Sequence, residues 1–203
     1  MNKFLKYFLI VFSSVLGLCI IGYIVFSLMV ASAFGAFDKT YSKEDLVESY
    51  QENETEINNL INYYTSILPH NKIVSIEFSK TEQIERLYIK DRSTSVIIQD
   101  WDFPSYELFE GKYKNELGWT ENQIKILKQK LDNADCISID NEEPIKIGFK
   151  RSGMGMYSFA LFKNEKTDQS FYDDNCQYIF IRKNLALQYG GGAIGPDCFP
   201  ENY

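Results

Sequence analysis

Histidine is nearly absent from this sequence: His70 is the only one in 203 residues. A Ser–His or Cys–His nucleophilic pair would have to use it. It follows Pro69 at the end of a helical pattern, where a solvated surface residue is expected. No G-x-S-x-G, C-x-x-C or H-E-x-x-H motif occurs, and no D-x-[DN]-x-[DN]-G loop. The standard signatures of acyl transfer, structural zinc, metalloprotease zinc and EF-hand calcium are therefore missing. "TDQSFYDDN" gathers Asp168, Asp173, Asp174 and Asn175, but it has no glycine turn and no closing glutamate. A solvated acidic loop is expected there. No catalytic residue, metal site or cofactor is assigned.

Runs of lysine and arginine are missing too. Setting aside Lys3 and Lys6, 19 of the 21 basic side chains stand against 28 acidic ones, a net of −9 for the remainder. Such a surface repels polyanions, so nucleic acid is excluded as a partner.

Charge is absent altogether from Tyr7 to Phe37, and residues 7–30 are apolar apart from serines and glycines. About 20 such residues cross a bilayer core. A soluble core helix seldom stays apolar on every face for this length. A cleaved signal is the alternative, with Lys3 and Lys6 as its basic region and Ala31-Ser32-Ala33 as its cleavage site, against an apolar stretch longer than such signals normally carry. A lipoprotein signal is rejected, because Leu18 precedes Cys19. The expectation is an uncleaved signal anchor that meets the bilayer through residues 7–30. Lys3 and Lys6 before the span nearly balance Lys39 and Lys43 after it. The short leading tail is expected to stay inside, which puts the larger part outside. Ser13-x-x-x-Gly17 and Ser27-x-x-x-Ala31-x-x-x-Gly35 place small residues on one stripe, compatible with a weak homodimer.

Two domains follow: residues 1–37 as tail and span, and residues 38–203 as one soluble α+β domain. The domain opens with Leu46, Tyr50, Ile57, Leu60, Ile61, Tyr64 and Leu68 at helical spacing, Ser42 as N-cap and Pro69 as terminator. Strands are expected at 72–78, 85–90 and 95–99, joined by short polar links as an antiparallel meander. Residues 101–119 read as irregular and aromatic, with a short helix. A second main helix begins at the capping box Thr120/Gln123 and lines up Ile124, Leu127, Leu131 and Ala134. Strands follow at 136–139, 145–151, 156–162, 176–182 and 185–189, with a hairpin at Ser152-Gly153. This pattern favours an antiparallel sheet with two main helices.

Four cysteines remain. Cys19 lies in the span, and Cys136 in the apolar run "CISI" reads as core. Cys176 and Cys198 lie near segment ends and are the better pair. Closing that loop is expected to staple "YGGGAIGPDCFP" to the domain. The glycines are not a phosphate cradle, because neither a lysine nor a helix follows them and Asp197 repels anions. Gly190, Gly191, Gly192 and Asp197 are retained as a candidate binding loop. Trp101 and Trp119 would line a sugar groove if paired carboxylates flank them; otherwise they fill the core.

"LGWTENQIKILKQKLDNADCISI", "IGFKRSGMGMYSF" and "LALQYGGGAIGPDCFP" resemble segments of uncharacterised bacterial envelope proteins that carry one amino-terminal hydrophobic segment. The likeness covers roughly residues 117–200 and implies an envelope location. Two function classes remain. One is a membrane-anchored domain that binds a protein or envelope component, including immunity or inhibitor proteins. The other is a hydrolase of envelope sugars or peptides that uses Asp or Glu.

Overall fold

A computed structural model describes residues 3–79, 81, 83–94, 96–163, 169–172, 176–190, 195 and 197–199. The chain divides into two compact units, Met1–Lys39 and Thr40–Tyr203. The first is helix α1, Lys3–Ala33. It is long and apolar enough to cross a membrane. At 1.5 Å rise per residue it extends about 46 Å, well beyond a hydrocarbon core of about 30 Å.

The second unit is α+β. Helix α2 is Lys43–Ile67. Ser42 and Asp45 form a reciprocal capping box at its start, and Leu68, extended just before Pro69, ends it. Strands β1 (Lys72–Phe78), β2 (Gln83–Asp91) and β3 (Ile97–Pro104) follow as a meander. A 3-10 turn, Ser105–Phe109, and the short helix α3, Gly111–Leu117, lead into α4, Glu121–Asn133. The capping box Thr120/Gln123 forms as expected. Then come β4 (Ser138–Asp140), β5 (Ile145–Ser152), β6 (Gly155–Leu161), β7 (Tyr178–Arg182) and β8 (Leu185–Gly190).

All eight strands form one antiparallel sheet in the order β3-β2-β1-β4-β5-β6-β8-β7. The order has an internal symmetry. Each half is a helix followed by a three-strand meander, and the first strands of the two halves, β1 and β4, lie side by side in the middle. The hairpin of β7 and β8 extends the second half, with β8 inside because every one of its residues is buried.

Helices α2 and α4 cover one face of the sheet. Leu46, Tyr50, Ile57, Leu60, Ile61 and Tyr64 of α2 and Ile124, Leu127 and Leu131 of α4 share a core with Val74, Ile76, Leu87, Ile139, Ile147, Phe159 and Leu187. Burial of these side chains drives folding at about 1.5–3 kcal/mol each. Tyr64 Oη–H donates to the Val74 carbonyl at 2.8 Å, which satisfies the phenol inside the core.

Several strand boundaries differ from the sequence reading, two of them for a local reason. The third strand extends to Pro104 through the aromatic stretch read as irregular, with Asp102 left-handed at φ 53°. The strand expected at 136–139 begins at Ser138 instead. Cys136 belongs to the turn that leaves α4, its N–H bonded to the Leu131 carbonyl at 2.9 Å.

Candidate interaction surface

Register builds the opposite face of the sheet, here called the outer face. Reading directly paired residues from edge to edge, one row runs Trp101, Arg86, Glu77, Ser138, Gly148, Ser158, Gln188 and Tyr178. Beside it runs a second: Gln99, Tyr88, Ser75, Asp140, Lys146, Ala160, Ala186 and Phe180. Side chains on one strand alternate between faces, so both rows stand opposite the core.

The rows change character across the sheet. At the β7 end, Ala160 and Ala186 are buried under Phe162, Tyr172, Tyr178 and Phe180, which make a small aromatic cluster. In the middle the side chains are small and polar. A Cβ at Gly148 would lie 2.1 Å from Ser138 Oγ and 2.3 Å from Met156 Sδ, so only glycine admits the methionine lying over this point.

Towards β2 the face is charged. Glu77 is 2% exposed. It accepts from Arg151 Nε at 2.5 Å and Arg151 Nη2 at 2.7 Å, a bidentate pair. Glu85 Oε2 stands 3.8 Å from the same Nε. Its carboxyl is held above the ordinary range, first by burial and then by the charge of Glu77. Asp140 is raised too, chiefly by burial, although it accepts from the Glu142 N–H at 2.7 Å.

At the β3 edge the Arg86 guanidinium lies 5.4 Å above the Trp101 ring, and Trp101 is 48% exposed. Ile97, at the other end of the strand, and Val96 before it are also exposed. Arg86 Nε and Gln188 Oε1 are buried without a hydrogen-bond partner among the described residues. Buried polar atoms are nearly always paired, so two orphans in a single row are unusual.

The sequence candidates fall elsewhere. Cys176 and Cys198 form the disulfide, with Cα atoms 4.4 Å apart. The Phe199 N–H donates to the Cys176 carbonyl at 2.9 Å, and its ring packs on Tyr157 and Tyr189. Cys198 and Phe199 are thus fastened to the domain, one by the bridge and the other as a core aromatic. Of the candidate binding loop, Gly190 is buried at φ 106° and closes β8, and Asp197 is exposed. Gly191 and Gly192 lie outside the described residues, as do Asp168, Asp173, Asp174 and Asn175. His70 is exposed at its turn. Trp119 is core, its Nε1–H donating to the Ile67 carbonyl at 2.7 Å, so the two tryptophans share no groove. Among the described residues no three His, Cys, Asp or Glu side chains gather to hold a metal.

A separate concavity of about 440 Å³ lies between α4 and the 3-10 turn, floored by Phe78, Phe109 and Ile124. Its rim charges are mutually neutralised, Lys125 by Glu121 and Lys128 by Asp132.

Comparison with protein-family models, curated proteins and solved structures finds no match.

Proposed function

We propose that this chain is a single-pass membrane protein whose acidic domain stands outside the cytoplasm and binds a protein partner through the outer face of its sheet. Helix α1 supports the anchor by length and composition. The Cys176–Cys198 bridge supports an oxidising compartment, since cytosolic disulfides are rare.

One observation carries the binding reading: Trp101, Arg86 and Tyr88 stand together at the β2–β3 corner of the outer face. Trp, Tyr and Arg are the residues that dominate binding energy at protein interfaces. Arg86 Nε and Gln188 Oε1 lack hydrogen-bond partners among the described residues. A rotamer change that delivered them to a partner would gain hydrogen bonds. The net charge of the domain selects a basic partner surface. A protein that acts by covering a partner's site, as inhibitors and immunity proteins do, needs no catalytic group.

The rival reading is acid catalysis by Glu85, favoured by its raised carboxyl beside Glu77. Against it, Arg151 engages both oxygens of Glu77, and a second, freely acting carboxylate is what glycoside hydrolysis requires.

The test places a photoreactive residue at Tyr88, on the outer face, and at Asn122, on the solvent side of α4. A discrete heavier adduct is expected from position 88 and none from position 122. With the captured partner purified, Trp101→Ala should weaken binding at least tenfold. Adducts from position 122 alone, or unchanged affinity in Trp101→Ala, would overturn the reading. Loss of hydrolytic activity in Glu85→Gln, with binding intact, would establish the rival.

A further inference from the structure

Strand β3 is one of the two edge strands of the sheet, and no further strand pairs with it among the described residues. Exposed edges carry unpaired N–H and C=O groups and template pairing with another chain unless something blunts them. Here the edge also shows Val96, Ile97 and Trp101 as exposed apolar side chains.

Backbone parity says which groups are free. The Asp91 N–H donates to the Val96 carbonyl at 3.0 Å, so Val96 points its backbone toward β2. Alternation along an antiparallel strand then directs Ile98 and Asp100 inward, and turns the N–H and C=O of Ile97, Gln99 and Trp101 outward. Those three residues also put their side chains on the outer face, opposite Lys90, Tyr88 and Arg86. Asp102, at φ 53°, interrupts the ladder, which resumes on β2 at Phe103 and Pro104, and Pro104 has no N–H to offer.

The free segment 97–101 is self-complementary. Laid antiparallel on itself about Gln99, it opposes Ile97 to Trp101 of the second copy, Gln99 to Gln99, and Trp101 to Ile97. Each outward residue then exchanges two backbone hydrogen bonds with its opposite. Aromatic and β-branched residues facing each other across strands are among the favourable pairs. Asp100 faces Ile98, so no like charges meet, and its own charge is already answered by Lys112 at 2.6 Å. The neighbouring registers are worse. An axis at Asp100 sets two aspartates opposite each other, and an axis at Ile98 leaves Trp101 facing no residue of the free segment.

We infer that two copies of this chain join through β3, with the axis at Gln99, to form one continuous sixteen-stranded sheet. The two outer faces then become a single surface. Five paired residues bury less than the roughly 1,200 Å² of a stable soluble dimer. The contact therefore depends on two anchored copies sharing one membrane, where effective concentration is high, and in this respect it rests on the anchoring proposed above.

Directly opposed residues in hydrogen-bonded pairs have Cα atoms about 5.5 Å apart, the distance a disulfide spans. The test introduces Gln99→Cys into the full chain with Cys19→Ser, in its membrane, under mild oxidation. Gln99→Cys should give a reducible dimer. Ile97→Cys alone should stay monomeric, whereas Ile97→Cys co-expressed with a differently tagged Trp101→Cys should give the mixed dimer. Equal crosslinking at all three positions, or crosslinking of Ile97→Cys alone, overturns the register and with it the proposal. A membrane-bound Gln99→Cys chain that remains monomeric overturns the dimer and leaves the anchor standing. A monomeric chain found in the soluble fraction overturns both.

Discussion

Arg151 holds Glu77 by two hydrogen bonds, at 2.5 and 2.7 Å, although 74 residues separate them in the chain. The pair links β5, in the second half of the fold, to β1, in the first. Glu77 is almost fully buried, so its charge is tolerated only because the guanidinium is there. Arg151→Ala should cost about 2–3 kcal/mol, less than a wholly buried pair because the arginine keeps some water. Arg151→Ala/Glu77→Gln should recover at least half of that loss. Urea unfolding of the full chain in detergent reads both, and a double variant no better than the single one would refute the pairing argument.

Removing the bridge through Cys198→Ser should destabilise the chain by roughly 3 kcal/mol, because Cys176 and Cys198 close a loop at a sequence separation of 22. The variant should also expose Phe199, which otherwise packs on Tyr157 and Tyr189. Thermal unfolding with and without reductant measures the first effect, and protease sensitivity of the last ten residues the second.

Cys136 should be chemically silent in the folded protein. It is 3% exposed, and burial pushes its thiol up to about 12, so the reactive thiolate is scarce at neutral pH. Denatured, unreduced chain should titrate Cys19 and Cys136 only. Rapid labelling of Cys136 in the native state would show that the turn after α4 opens.

Gly148 answers to space. Gly148→Ala brings a methyl into the Ser138 hydroxyl and the Met156 sulfur, at an expected cost of about 1–3 kcal/mol. Adding Ser138→Ala should restore much of it. An unperturbed Gly148→Ala would mean that the outer face is looser than its register implies.

Asp140 sets a pH dependence of unusual sign. Burial raises its folded carboxyl above the ordinary value of 3.8, so the folded chain keeps a proton that the unfolded chain releases. Its contribution to stability is full below 3.8 and is lost as pH rises through the folded value. Asp140→Asn, which retains an oxygen for the Glu142 N–H, should raise the urea midpoint at pH 7 and lose that advantage by pH 3. A gain that persists at pH 3 would contradict this origin.

Local signals made much of this fold legible. Ser42, Thr120 and Gln123 announce the helix starts, Pro69 announces a stop, and the apolar stripes name the buried faces that the structure shows. The end of β3 was obscured because Trp101, Asp102 and Phe103 neither alternate cleanly nor hold β geometry at Asp102. Three-residue β4 is too short for any period to mark. The outer face was hidden for a different reason. Glu77, Ser138, Gly148, Ser158 and Gln188 each stand on the off-core side of a strand. That they form one continuous row depends on the registers of strands far apart in sequence, which no local pattern encodes. A cluster such as Gly190, Gly191 and Gly192 is conspicuous in any sequence, whereas single residues such as Arg86 and Gln188 are not.

Anchoring and sidedness underlie everything proposed for this chain, and sided proteolysis of opened cell envelopes measures both at once. The full-length chain should sediment with the membranes after an alkaline wash. Protease added from outside should then degrade it from the carboxyl-terminal side while a cytoplasmic marker survives. Recovery of the intact, uncut chain in the soluble cytoplasmic fraction, untouched by external protease, would contradict the account.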